Sequence, residues 1–272
     1  PRSARARSLA TSTELPRSSR AVVVGGGVVG SSVAYNLARR GWKDVVLLEK
    51  SSLTSGTTWH AAGLVGQLRA TKIETMISAE AVDVYSRLEE ETGQATGFKQ
   101  CGSLTTAQTS DRFEVMKRNA ARARSYGLEA ELFTPSGCNE KMGGLLRTDD
   151  LVGGLWLPGD GSGSPTDLTM SFAAGARQLG VSIFEGVGVA SFRTASVGGG
   201  ASKVVAVETS DGQLIETDHV VLCAGQWSRE LGAAAGVSVP LHSCEHFYVT
   251  TNSMDGVHPG LPVYRDNDSY TY

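Results

Sequence analysis

Three glycines and one acid carry the clearest chemistry in this sequence. Gly25, Gly27 and Gly30 are spaced G-x-G-x-x-G, and Glu49 stands 24 residues after the first of them. In that spacing Gly25 permits a tight turn, Gly27 lets the backbone approach a pyrophosphate, and Gly30 lets a helix pack closely on a strand. The first turn of such a helix, at Val28 and Val29, offers free N–H groups and the positive end of its dipole to phosphates. A carboxylate at Glu49 can accept hydrogen bonds from ribose hydroxyls and disfavours a 2′-phosphate, which argues against NADP. The fingerprint by itself does not separate NAD from FAD. A second group sits in the loop Thr54–Leu64, TSGTTWHAAGL, where Trp59 and His60 stand among small and polar residues. Such a loop can lie along an extended cofactor, and His60 has one ring nitrogen to spare. Taken alone, a hydrogen-bonded or surface histidine is the simpler reading.

These residues need particular elements to position them. Ala21–Val24 is an apolar run suited to a strand buried on both faces. Val28–Arg40 has apolar residues at helical spacing (Val29, Val33, Leu37) and stops at Gly41. Asp44–Leu48 is a second buried strand ending at Glu49. Together they form the strand–turn–helix–strand context that the glycine pattern requires. Further on, Ile73–Glu91 reads as a helix with Ile77, Ala81, Val84, Tyr85 and Leu88 on one face. Phe98–Gln108 reads as a strand. Asp111–Tyr126 reads as a helix capped by Asp111 and stopped by Gly127. Residues from Phe133 to Leu157 interrupt the α/β pattern as an inserted layer. The pattern resumes with a helix over Asp167–Leu179 and a strand over Val181–Phe184. Val187–Arg193 and Val204–Thr209 pair across Gly198–Gly200, and Asp211-Gly212 makes a second hairpin turn. The strand Thr217–Cys223 then runs into Ala224-Gly225-Gln226-Trp227. Leu241–Thr251 alternates as a strand, with His242, Cys244, His246 and Tyr248 on one face. Periodicity does not say which face is buried, and a satisfied sheet histidine is the simpler reading of His246.

Several stretches resemble one family. LEKSSLTSGTTWHAAGLVGQLR, EEETGQATGFKQCGSL, LTMSFAAGARQLG, VVLCAGQWSRELG and PLHSCEHFYVTT are similar to segments of the FAD-dependent sarcosine and dimethylglycine dehydrogenases, of the D-amino-acid-oxidase superfamily. The resemblance runs from about Arg20 to Tyr272. It implies an α/β fold: a FAD-binding, Rossmann-like parallel sheet with an inserted antiparallel substrate layer. The expected division is a targeting or disordered segment over 1–19, a FAD-binding domain over 20–95 and 160–235, and a substrate domain over 96–159 and 236–272. The resemblance implies cofactor contacts from Gly25, Gly27, Val28, Val29, Gly30, Glu49 and Lys50. It adds the loop residues Gly56, Thr57, Thr58, Trp59, His60, Ala61, Ala62, Gly63 and Leu64, and then Val189, Ala224, Gly225 and Trp227. His60 matches the histidine bonded covalently to the flavin in that family. His246 matches an active-site histidine, and Tyr272 matches an active-site tyrosine after LP-x-x-R-D, with Tyr270 as its competitor. The implied reaction is oxidative demethylation of an N-methyl glycine derivative, with hydride transfer to flavin and electrons passing to electron-transfer flavoprotein. Family members are longer, so the chain reads as part of a larger protein, in which tetrahydrofolate is a further expected ligand. A related regulatory subunit of pyruvate dehydrogenase phosphatase shares much of the pattern, including a CEHFY-like strand, and lacks the Trp-His pair. Trp59-His60 therefore favours the enzyme.

Composition bounds the rest. The 272 residues are 40% hydrophobic and 19% charged, which suits a globular chain. A net charge of −3 argues against nucleic acid or a membrane surface as a partner. Cys101, Cys138, Cys223 and Cys244 form no C-x-x-C pair, so neither a zinc site nor a disulfide framework is indicated. No apolar run approaches the roughly 18–20 residues needed to span a bilayer. Residues 1–20 hold five arginines, five serines and one acid, Glu14. That bias resembles a mitochondrial transit peptide, with a plain basic tail as the alternative. With the family resemblance, the expected location is the mitochondrial matrix.

Overall fold

The computed structural model describes residues 14–272. Most of the basic N-terminal segment therefore lies outside the described residues. Contacts divide the chain into two units, residues 1–60 with 169–244 and residues 61–168 with 245–272. Residues 61–95 and 160–168, which the sequence reading assigns to the FAD-binding domain, group with the second unit in this division.

The first unit is built on a six-stranded sheet. Its order is Ser182–Glu185, Val45–Glu49, Ser18–Val24, Leu214–Leu222, Ala201–Thr209, Val189–Gly198. The first four strands are parallel, and the last two add antiparallel hairpins. In register, Val23 faces Leu47 on one side and Val221 on the other. Residues 21–24 are buried on both faces, as their unbroken apolar run predicts. Val22, Val24, Val46 and Leu48 join Phe184, Phe192, Val207 and Ile215 in one core. Each such side chain contributes roughly 1.5–3 kcal/mol by leaving water.

Helix Val28–Arg39 forms where expected, but its buried face differs. Gly30, Ser31, Ala34, Tyr35 and Ala38 are buried, while Val29 is 60% exposed. The reason is steric. A Cβ on Gly30 would lie 1.9 Å from the Gly25 carbonyl oxygen, so the helix sits against its strand through its small residues. Apolar spacing alone therefore marks the wrong face.

The second unit carries a four-stranded sheet in the order Val263–Asp266, Ser103–Ala107, Gly153–Leu157, Glu131–Phe133. The last three strands are antiparallel, and Val263–Asp266 joins Ser103–Ala107 in parallel, so the inserted layer is mixed. One cluster on this layer joins Leu155 and Leu157 to Met116, Ala120 and Ala123 of helix Ser110–Ser125. Another holds Leu104, Cys138 and Trp156. The strand expected over Phe98–Gln108 starts only at Ser103 because Gly102 (φ +77°) takes a left-handed turn under Trp156. The cap of helix Ser110–Ser125 is Thr109, whose hydroxyl accepts the Arg112 N–H at 3.2 Å; Asp111 lies inside the first turn. Helix Lys72–Thr92 begins with a reciprocal Thr71–Glu74 capping box. It buries Thr75, Val82 and Leu88, whereas Ile77, expected on the core face, is 66% exposed.

The strand expected over Leu241–Thr251 does not form. Its residues have no regular structure and are exposed, with Phe247 at 85%. Alternation becomes a strand only when a neighbour satisfies the backbone, and no described strand pairs with this segment.

Candidate functional site

The glycine turn is locked by its own backbone. Gly25 has φ +110°, and a Cβ there would lie 2.4 Å from the Cys223 carbonyl oxygen. Gly25 and Gly30 are thus required by internal packing. Gly27 differs: a Cβ there would meet only the Thr58 hydroxyl, at 2.9 Å, so its outer face is open. The helix behind it has no acid in its first turn and no side-chain cap from Gly27. One of its free donors is taken by the loop, since Val28 N–H donates to Thr58 Oγ1 at 3.1 Å.

Glu49 has a role that spacing did not reveal. It is buried at the end of its strand, and its two oxygens accept the N–H groups of Gly26 at 2.7 Å and Ser51 at 2.9 Å. The acid therefore fixes the turn to the second strand. A carboxylate has about four acceptor sites, so capacity remains for ribose hydroxyls.

The loop after Glu49 is clamped at its start. Leu53 N–H donates to Glu185 Oε2 at 2.9 Å, and Thr54 N–H donates to the Gly26 carbonyl at 3.1 Å. Glu185 lies 132 residues away, and no sequence signal could have found it. The structure also brings together Lys50, Gly56 and Trp227. Lys50 Nζ lies 3.4 Å from the centre of the Trp227 ring, and a Cβ on Gly56 would touch that ring at 3.6 Å. Ala224 and Val189 pack on the apolar core of this unit, and Gly225 (φ +54°) opens the short turn Gly225–Trp227. Thr57 closes the loop's last turn by accepting the His60 N–H at 3.2 Å. The Trp59 and His60 rings lie 3.7 Å apart, both exposed. The His60 imidazole makes no hydrogen bond among the described residues.

The remaining expected residues belong to the second unit. Ala61 and Ala62 are exposed. Gly63 (φ +74°) accepts the Gly163 N–H at 2.9 Å, and Leu64 pairs with Ser162. Tyr272 Oη and His246 Nε2 lie 3.0 Å apart, with the rings stacked at 16°. Both residues are exposed and neither stands in a strand, contrary to expectation: the strand after Leu261-Pro262 ends at Asp266. Tyr270 is 90% exposed, and Tyr272, not Tyr270, meets His246. The four thiols are free, with Cys138 buried and pushed up to about 11, Cys223 also raised by burial, and Cys244 exposed. Among the described residues no helix is long and apolar enough to cross a membrane.

The sequence profile described as FAD dependent oxidoreductase (DAO) matches residues 20–272. The chain belongs to this FAD-dependent oxidoreductase family. It is 40% identical to mitochondrial sarcosine dehydrogenase of Mus musculus over 262 residues, covering 96% of this chain and 28% of that protein. It is 37% identical over 266 residues to the mitochondrial pyruvate dehydrogenase phosphatase regulatory subunit of the same species, covering 97% and 30%. The chain thus spans less than a third of the length of either relative. Among solved structures, L-proline dehydrogenase from P. horikoshii aligns with a TM-score of 0.76 and 29% identity over 82% of this chain and 57% of that one.

The first unit of this FAD-dependent oxidoreductase fits its cofactor on physical grounds. The open face at Gly27, the helix N-terminus without an acid and the spare acceptor capacity of Glu49 suit a diphosphate and a ribose. Val29, Trp59 and Trp227 leave exposed apolar surface in this unit, with Trp227 against Lys50 and Gly56.

Proposed function

We propose that this chain is the flavin-binding part of an enzyme that oxidises the N-methyl group of a small amino acid, sarcosine or dimethylglycine. The observation that carries the reading is the exposed Trp59–His60 pair, which closes the loop clamped onto the glycine turn. When bound, the flavin supplies a two-electron acceptor for a hydride from the N-methyl carbon. The chain's own residues do the rest. The turn Gly25–Gly30 and the N-terminus of its helix hold the diphosphate, Glu49 holds the ribose, and Lys50, Gly56 and Trp227 close the loop side. His60 holds the cofactor covalently. Tyr272 Oη and His246 Nε2 share a proton across 3.0 Å and take up the proton of the substrate ammonium. A neutral amine gives up hydride more readily than an ammonium. The one-carbon product passes to water as formaldehyde or to tetrahydrofolate, and electrons pass to electron-transfer flavoprotein in the mitochondrial matrix.

The test is the visible spectrum of the full-length protein before and after acid precipitation, with His60→Ala alongside. Flavin in the washed wild-type pellet and none in the His60→Ala pellet is the expected result. Flavin only in the supernatant removes His60 as the attachment point. A second reading, a regulatory subunit without catalysis, draws on the 37% identity to the phosphatase regulatory subunit. Folded protein with no flavin and no amine-dependent dye reduction would favour it.

A further inference from the structure

Among the described residues, Asp44, Thr54 and Tyr270 have positive φ without being glycine. Of these, Thr54 (φ +71°) is the β-branched one, and it is buried. A branched Cβ is costly in the left-handed region, so such a residue persists only where its surroundings over-determine it. Thr54 stands at the start of the loop that runs to Trp59 and His60. What holds it there lies within the first unit. Leu53 is buried against the glycine turn, where a Cβ on Gly26 would meet Leu53 Cδ2 at 2.7 Å. Thr54 N–H donates to the Gly26 carbonyl at 3.1 Å, and Leu53 N–H donates to Glu185 Oε2 at 2.9 Å. Two consecutive N–H groups are thus fixed just ahead of the reversal at Thr54. The chain then runs on to Thr58, whose hydroxyl takes the Val28 N–H.

Glu185 reaches the loop from the end of strand Ser182–Glu185, where it pairs in register with Glu49. Past the strand the pairing continues along the loop. Gly186 N–H donates to the Ser51 carbonyl and Val187 N–H to the Glu49 carbonyl, both at 2.8 Å. Two acids side by side on adjacent strands repel each other. Each is spent on backbone donors: Glu49 on Gly26 and Ser51, and Glu185 on Leu53. Arg177 Nη2 lies 3.4 Å from the other oxygen of Glu185, a long contact between side chains that are 34% and 40% exposed. Such a pair adds little to stability. A like-charged pair of acids and a strained threonine are both unfavourable for folding taken alone. Both make sense if the geometry of the loop is what they secure.

We propose that Glu185 is a positioning residue for the cofactor loop: by taking the Leu53 N–H it latches Thr54 in its left-handed conformation and so sets where Trp59 and His60 stand. The latch rests on the flavin reading above, and the experiment separates the two. It uses the full-length protein in two measurements. Hydrogen–deuterium exchange reads the Leu53 and Thr54 amides directly. Titration with FAD in a His60→Ala background, where attachment through His60 is impossible, reads affinity. Glu185→Ala should speed exchange at both amides about 10-fold and weaken FAD about 10-fold. Glu185→Gln keeps an acceptor oxygen for Leu53 and should recover most of both losses. In a Thr54→Gly background the effect of Glu185→Ala should shrink to about 3-fold or less, because glycine takes positive φ without help. A role in folding alone would not depend on residue 54 in this way. The Glu185 side chain is partly exposed, so its variants keep the fold. The latch is overturned by unchanged exchange in folded Glu185→Ala, by unchanged affinity where FAD binds, or by equal losses in the two Thr54 backgrounds. Faster exchange in a folded protein that binds no FAD would keep the latch and sink the flavin reading.

Discussion

At the glycine turn each polar group is held by another piece of regular structure. Glu49 ties the turn to a strand, Thr58 ties the loop to a helix, and Cys223 lies close under Gly25. The His246–Tyr272 pair holds little beyond itself: two exposed rings and one hydrogen bond, on segments outside any strand. The contrast separates two ways of making a site. In the first, function and stability share the same atoms, so damage to one damages the other. In the second, the two side chains can be changed with little consequence for folding.

The sharpest attempt to break this contrast is Gly30→Ala. Its new Cβ, 1.9 Å from the Gly25 carbonyl oxygen, must push the helix off its strand. The expected cost is about 3 kcal/mol, with flavin content falling in parallel. Denaturant unfolding and visible absorbance measure both, and flavin retained at wild-type stability would refute the shared-atom account. Tyr272→Phe is the opposite case. It should leave unfolding within about 0.5 kcal/mol of wild type while lowering kcat/KM for sarcosine about 100-fold. An unchanged kcat/KM would remove Tyr272 from the chemistry.

The smallest effect asks whether burial, rather than one particular unit, produces coupling. Asp160 lies in the second unit but is buried, and its folded pKa is raised mainly by desolvation. Above the ordinary aspartate pKa of about 4, the unfolded chain has released this proton while the folded chain still holds it. Stability contributed by the protonated group is therefore present at low pH and is lost as pH rises through the folded pKa. Unfolding curves across that window should show the downward slope in wild type and a flatter one in Asp160→Asn. Equal slopes would mean the buried acid is not coupled to folding.

The glycine turn was legible because its signals are local. An apolar run, three spaced glycines and an acid lie within 29 residues, Ala21 to Glu49, and all act on one another directly. The buried face of the helix was not legible, because close approach at Gly30 selects small residues over Val29, Val33 and Leu37. The sequence pointed to Asp111 as the cap of the second unit's helix, but the hydroxyl of Thr109, two residues earlier, took the cap. The parallel pairing of Val263–Asp266 with Ser103–Ala107 joins segments about 160 residues apart, beyond any local pattern. Leu241–Thr251 taught the converse, since its alternation is a request for a partner and not the partner itself.

Burial also sorts the thiols into a practical order. Cys138 is enclosed and held protonated, Cys223 is raised by its surroundings, and Cys244 stands in open solvent two residues before His246. The protein therefore carries its own attachment point for a maleimide dye or spin label, two residues from His246 and within the segment that lacks a strand. A label there would report by its mobility when that segment acquires a neighbour.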